Sequence, residues 1–304
     1  MAEPLLIVNL NKPKGWTSFD AVKLLRGRLR IRKAGHLGTL DPFATGALPI
    51  FLGKATRLIP LFNTTDKVYR ATLRLGLRTD TFDEEGTLLQ ERDASSVSEA
   101  KVRESASHFT GQLEQLTPIY SAVKVQGVPS YRLARQGKPV ERKTRTVQVY
   151  RLEVLRIALP EVEFEVHCSS GTYIRTLADD WGEHLGVGAH LTALHRVACG
   201  PWFHEGNAVQ VEDVRAQGEE LRGLDPVALL SHLPTLTVDA PEVERLRQGQ
   251  ALTVDPEQLS PWPPKETEAG VPAKVVGSLQ NLIAVGSLMW KDTRLTFQPE
   301  RVLL

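Results

Sequence analysis

Residues 35–46, GHLGTLDPFATG, set one carboxylate, Asp41, among three glycines and two threonines. Asp41 precedes Pro42, which disfavours helical backbone at Asp41 and removes the next amide donor. Gly35, Gly38 and Gly46 let a ligand or a neighbouring backbone approach closely. Such a loop can hold a single carboxylate as a nucleophile. A nucleophilic aspartate must stay ionised, so a buried one needs a cationic partner. Asp-Pro is also an ordinary turn dipeptide, and on spacing alone a turn is the simpler reading of Asp41.

Other chemistries find less support. No Gly-Lys-Ser/Thr closes the glycine-rich loop as a phosphate loop would, and no G-x-S-x-G elbow is present. The eight histidines form no H-x-x-x-H pair, and the two cysteines, Cys168 and Cys199, cannot build a disulfide framework or a four-cysteine zinc site. No metal is therefore expected. A two-carboxylate hydrolase would need a second acid; Asp80, Asp83, Glu84 and Glu85 are available but read as an acidic turn.

Charge points to the partner. The chain is near neutral at +1, yet residues 12–78 carry fourteen Lys or Arg against three acids, a local balance of +11. Residues 79–114 reverse it, with nine acids against three bases. KLLRGRLRIRK (23–33) holds six bases and no acid, which a solvated helix face of mixed sign would not. Nucleic acid is the leading partner class.

These residues need elements to position them. With 304 residues, 41% hydrophobic and 24% charged, the chain has the composition of a globular protein with a core. No apolar run approaches the ~18 residues of a membrane span. The stretch MAEPLLIVNLNKPKG shows no cationic start or small-residue cleavage site, so no secretion signal is expected and a cytoplasmic location is. LLIVNL (5–10) reads as a buried strand. Thr17 or Ser18 can cap a helix over 19–31, with Val22, Leu25 and Leu29 within ~60° of one another and Lys23, Arg26 and Arg30 beside them. ALPIFLG (47–53) is a short apolar run, 67–77 a strand, and 96–111 an amphipathic helix ending at Gly111. Residues 126–147 read as a long loop or extended insertion. A strand pair (147–168) and a helix over Ile174, Leu177, Ala178, Trp181 and Leu185 follow. Without a regular βαβ rhythm, the class is α+β: a mixed or antiparallel sheet flanked by helices. From Leu233 the texture changes, with a Pro-rich stretch and then alternating strands. The expected division is 1–232, including an RNA-contacting insertion at 120–147, and a small β-rich domain at 233–304.

Five ordered blocks then resemble the TruB family, bacterial tRNA pseudouridine synthases acting on the T-loop uridine at position 55. They are NKPKGWTSFD (11–20), AGHLGTLDPFATGALPI (34–50), KVYRATLRLGLRTDTFDEEG (67–86), TPIYSAVKVQGVPSYRLARQG (117–137), and SSGTYIRTLADDWGEHLG with AHLTALHR (169–196). Residues 233–304 resemble the family's PUA-like module more loosely. The resemblance implies a cofactor-free isomerisation with Asp41 as the catalytic aspartate, through a sugar or base adduct or a glycal. It implies Arg175 as the partner keeping Asp41 charged, and Tyr69 stacking on the base and helping to remove the C5 proton. Tyr173 and Leu194 would line the pocket with Gly38 and Thr39. The uridine must leave its stack to reach Asp41. His36 resembles the residue that fills the vacated space; a loop histidine bonded to backbone is its plain alternative. Lys12, Lys14, Arg26, Arg30, Arg32, Lys33 and the bases of 130–147 would contact phosphates.

Two positions depart from the family pattern: Leu37, where a β-branched or small residue is usual, and the long Pro-rich segment 260–273. The implied partner is the tRNA T-arm, bound by a monomer away from any membrane. A tRNA-binding chaperone acting independently of catalysis is the alternative function. A guide-RNA-dependent dyskerin-type relative is a third, opposed by the short chain and the lack of basic tails.

Overall fold

Period-two burial runs through the central strands of the computed structural model. Lys67, Tyr69, Ala71, Leu73 and Leu75 point inward along one strand, and Val162, Phe164, Val166 and Cys168 along its neighbour, the alternation of a sheet covered on one face. The structure describes residues 3–121, 124–125, 127–130, 133, 136, 142–259, 270–291 and 294–304. The 120–147 insertion is thus described only in part. Of the Pro-rich segment, 260–269 lies outside the described residues.

The strands are β1 (Leu5–Lys12), β2 (Ala34–His36), β3 (Thr45–Gly53), β4 (Lys67–Leu75), β5 (Leu77–Thr79), β6 (Leu88–Glu91), β7 (Gly111–Leu116), β8 (Lys124–Val125), β9 (Val128–Pro129), β10 (Thr144–Ala158), β11 (Glu161–Cys168), β12 (Ala189–Cys199), β13 (Phe203–His204), β14 (Thr235–Val238), β15 (Leu252–Val254), β16 (Val271–Gly277), β17 (Leu282–Lys291) and β18 (Arg294–Val302). A nine-stranded mixed sheet runs β1-β3-β12-β4-β11-β10-β7, with β2 on β3 and β13 on β12. Its β3–β12 pairing is parallel and joins Thr45 to His195 and Gly46 to Arg196. Along β4 the partner strand β12 is shifted between Leu191 and Ala193 and again between Arg196 and Ala198. Such bulges re-aim side chains, and here they bracket Leu194 and Arg196, opposite Ala71 and Tyr69.

Helix α1 (Ser18–Leu29) begins at a capping box in which Thr17 and Asp20 exchange hydrogen bonds. It stops two residues short of the expected 31 because Arg30 turns left-handed, φ 53°, and donates its N–H to Arg26. Val22 and Leu25 are buried, Leu29 packs against the core, and Lys23, Arg26, Arg28 and Arg30 face outward. The helix expected over 96–111 is shorter: α2 (Glu99–Ala106) is capped by Ser98 and gives way to a 3₁₀ turn. Gly111, at φ +99°, starts β7 rather than ending the helix. The apolar run 47–53 is the body of β3. Helix α3 (Ile174–His184) buries Leu177, Ala178 and Trp181 in one core with Leu48, Ile50, Leu73 and Phe164.

The C-terminal strands form a separate five-stranded sheet, β14-β16-β17-β18-β15, with its own core around Val275, Leu288 and Phe297. A second apolar cluster joins the two sheets: Ile7, Leu37, Phe51 and Phe62 pack with Leu282, Val285 and Leu303. Among the described residues no helix is long and apolar enough to cross a membrane.

Candidate active site

The carbonyl of Asp41 accepts the N–H of Ala44 at 3.1 Å, so its backbone does open a turn. The side chain is nonetheless directed into a cleft. The two readings of Asp41 are compatible: the turn is the device that presents the carboxylate. The rest of the loop is tied down from several directions. The hydroxyl of Ser18 in α1 accepts the N–H of Leu40 at 2.8 Å and donates to its carbonyl at 3.1 Å. Gly15 N–H reaches the carbonyl of Pro42, and Leu37 N–H that of Pro49.

Two buried cations complete the clamp. Arg196, wholly buried on β12, donates to the carbonyls of Ala47 at 2.7 Å, Gly38 at 3.1 Å and Leu37 at 3.4 Å. Gly46, at φ +103°, lies so close to it that a Cβ there would stand 2.3 Å from the Arg196 carbonyl oxygen. Lys12 is also fully buried, and its ammonium donates to Pro13, Trp16 and Pro42 carbonyls. Burial drives its pKa down to about 8, against the attraction of Asp41. Lys12 therefore does not sit on the phosphate-facing surface expected for it; backbone carbonyls have taken its donors.

Asp41 faces Arg175 in the first turn of α3. Nε of Arg175 lies 2.9 Å from Oδ2, without an aligned N–H, and a terminal nitrogen donates to Oδ1 at 3.4 Å. The guanidinium is 4% exposed and the carboxylate 35%, so the cation is fixed and the anion open to the cleft. Arg175 also donates to the carbonyls of Thr81 and Tyr120, each at 2.8 Å, and to Asp83 at 3.2 Å. The acidic stretch 80–85 is a turn as expected, with Gly86 N–H on the Asp83 carbonyl, and within it Asp83 is buried as a second carboxylate. Burial pushes its carboxyl up, the Thr81 hydroxyl and Arg175 pull it back, and Asp41 adds to the upward push.

The cleft, about 280 Å³, is lined by Gly38, Thr39, Asp41, Tyr69, Tyr173, Arg175 and Leu194, at the small end of the range for single-ligand pockets. Tyr69 rises from β4 beside Leu194 of β12. Burial pushes its phenol up to about 12, against the pull of Arg196, so it stands as a neutral ring. Gln115, buried on β7, holds the Tyr173 backbone by accepting its N–H at 2.9 Å and donating to its carbonyl at 3.2 Å. His36, on β2, is half-buried; burial and then Arg196 lower its pKa, and its buried Nδ1 has no hydrogen-bond partner among the described residues. Leu37, the departure from the family pattern, fits the apolar cluster between the sheets.

The outward bases are split in use. Lys23, Arg26, Arg28, Arg32 and Lys33 are exposed, while Lys14 pairs with Glu84 and Arg30 with Glu219. Arg142 donates to the Thr117 and Leu116 carbonyls and so closes the base of the insertion. Arg132, Arg135 and Lys138 lie outside the described residues. Asp83, Arg196, Ser18 and Gln115 are the site residues that sequence reasoning did not single out for these roles.

Comparison with known proteins shows what the chain is similar to. Residues 26–174 match the family model described as TruB family pseudouridylate synthase (N terminal domain), and residues 175–230 match the tRNA pseudouridylate synthase B C-terminal domain. The chain is 47% identical over 244 residues to tRNA pseudouridine synthase B of Geobacter sulfurreducens, covering 79% of this chain and 80% of that one. It is 46% identical over 249 residues to the protein of the same name from Burkholderia pseudomallei, covering 81% and 82%. Among solved structures it resembles a chain of the archaeal box H/ACA sRNP Nop10-Cbf5 complex, with a TM-score of 0.69 and 26% identity over 98% of this chain and 86% of that one.

Proposed function

The chain belongs to the TruB family of pseudouridylate synthases, and from that premise we propose that it isomerises the T-loop uridine at position 55 of tRNA. The observation that carries this reading is the ion pair of a cleft-facing Asp41 with a buried Arg175 beside Tyr69. The reaction breaks the N1–C1′ bond, turns the uracil and joins C5 to C1′; C5 loses a proton and N1 gains one. No electrons are exchanged and no water is consumed, so the chemistry calls for no metal or nucleotide.

In this reading Asp41 attacks the sugar or base, or assists elimination, while Arg175 holds the carboxylate in place. The uridine is flipped out of the T-loop, as enzymes acting on a base require. Tyr69, Tyr173 and Leu194 hold the ring, Gly38 and Thr39 form the rim, and His36 fills the vacated stack. The exposed bases of α1 and residues 32–33 meet phosphates. Residues 1–232 form the catalytic unit, with 120–147 touching RNA, and 233–304 a PUA-like RNA-binding unit. The higher identity to tRNA pseudouridine synthase B than to the H/ACA chain favours a stand-alone enzyme over a guide-dependent one.

Asp41→Asn is the test. Incubated with T-arm stem-loop RNA and no guide, the native protein should form pseudouridine at the T-loop uridine, read by chemical mapping. Asp41→Asn should bind the RNA with similar affinity and form none. Undiminished product from the variant refutes the nucleophile; binding without product by the native protein would favour the chaperone.

A further inference from the structure

Four serines are buried among the described residues: Ser18, Ser105, Ser121 and Ser130. Three donate to a backbone carbonyl, of Leu40, Val102 and Ile119 respectively. Ser121 does not. It is 6% exposed, and its Oγ is closed off from solvent and has no hydrogen-bond partner among the described residues. A buried hydroxyl in that state costs roughly 1–3 kcal/mol and is uncommon in folded proteins. Its position is specific. Ser121 follows Tyr120, whose carbonyl accepts from Arg175, and it lines the cleft with Asp41, Tyr69 and Tyr173.

The chemistry in the cleft supplies a partner. A half-turn of uracil about its N3–C6 axis puts C5 where N1 was and exchanges O2 with O4. A donor aimed at one carbonyl before the turn therefore meets the other carbonyl after it. Cytosine would offer a carbonyl on one side and an amino group on the other. A serine hydroxyl has a single heavy-atom torsion with staggered wells and a freely rotating proton, so it can follow the moving oxygen.

We propose that the Ser121 hydroxyl donates a hydrogen bond to a carbonyl oxygen of the target uracil, holding the base while its bond to the sugar is remade. This rests on the reading of the cleft as the uridine site. RNA affinity is set mainly by phosphate contacts, so the hydroxyl acts on the chemical step and leaves binding alone. Removing it therefore breaks no hydrogen bond among the described residues.

The experiment compares Ser121→Ala, Ser121→Thr and Asp41→Asn with the native protein on T-arm stem-loop RNA. Single-turnover pseudouridine formation, RNA affinity and the thermal midpoint are measured for each. Ser121→Ala should slow the reaction roughly 10- to 100-fold, leave Kd within about twofold, and leave the midpoint unchanged or higher. Ser121→Thr, which keeps the hydroxyl, should stay within about threefold of the native rate. A native rate in Ser121→Ala overturns the proposal, as does a slower rate accompanied by a lower midpoint, which marks a structural role. If Asp41→Asn is inert while Ser121→Ala is fully active, only this proposal fails; if Asp41→Asn is active, the reading of the cleft fails with it.

Discussion

The loop 35–46 and helix α1 adjoin each other and are built on opposite principles. In the loop, the carbonyls of Leu37, Gly38, Leu40 and Pro42 each receive a side-chain donor from a distant segment. On α1, the outward bases Lys23, Arg26 and Arg28 project into solvent, and each can be exchanged for another cation. Positioning a carboxylate to a fraction of an ångström demands that neighbouring backbone be over-determined. Meeting a polyanion demands charge of one sign on one face, with little regard to which residue supplies it.

The sharpest way to break that contrast is Gly46→Ala. A Cβ 2.3 Å from the Arg196 carbonyl oxygen, at φ +103°, forces apart the β3–β12 pairing that anchors the clamp. The expected loss of stability is about 3 kcal/mol or more, read as the urea midpoint, with activity falling alongside. Survival of both would mean that the loop is less constrained than its contacts indicate.

A smaller effect comes from Lys12. Its folded pKa of about 8 lies below the ordinary 10.5, so the folded protein releases this proton more readily than the unfolded chain. Below pH 8 the cost of burying the charge is fully present; between pH 8 and about 10.5 the unfolded chain binds more protons and stability rises with pH. Native protein should therefore gain stability relative to Lys12→Met as pH is raised from 7.5 to 9.5, measured by urea titration of both. Parallel curves would place the Lys12 ammonium in water, outside the clamp.

The smallest effect belongs to α1. Arg26→Gln should weaken RNA binding modestly and reduce the slope of log K against log[salt] by roughly 0.7 to 0.9, as one phosphate contact is lost. The rate at saturating RNA should not change. A loss of turnover with the slope intact would make Arg26 part of the catalytic apparatus and erase the contrast.

What could be read in advance divides along the same line. Strand alternation, the apolar stripe of α1 and the concentration of bases are local or compositional patterns, and they survive into the structure. Asp41 and Arg175, 134 residues apart, came from ordered blocks resembling a family; spacing alone favoured a turn. Asp83 is in sequence one acid of an acidic turn, and its cationic partner, Arg175, lies 92 residues away. In sequence Lys12 and Arg196 are two ordinary cations among the 37 Lys and Arg of a near-neutral chain. Only the fold shows that their donors are consumed by backbone carbonyls, since no local pattern distinguishes a buried cation from an exposed one.

The Arg196 clamp bears on protein engineering. Transplanting the twelve residues from Gly35 to Gly46 onto another scaffold would carry over the carboxylate and leave behind the guanidinium that spans Leu37, Gly38 and Ala47. The portable unit is a junction of chain segments around residues 12, 18, 41, 175 and 196, and a graft that omits any of them inherits the motif without its rigidity.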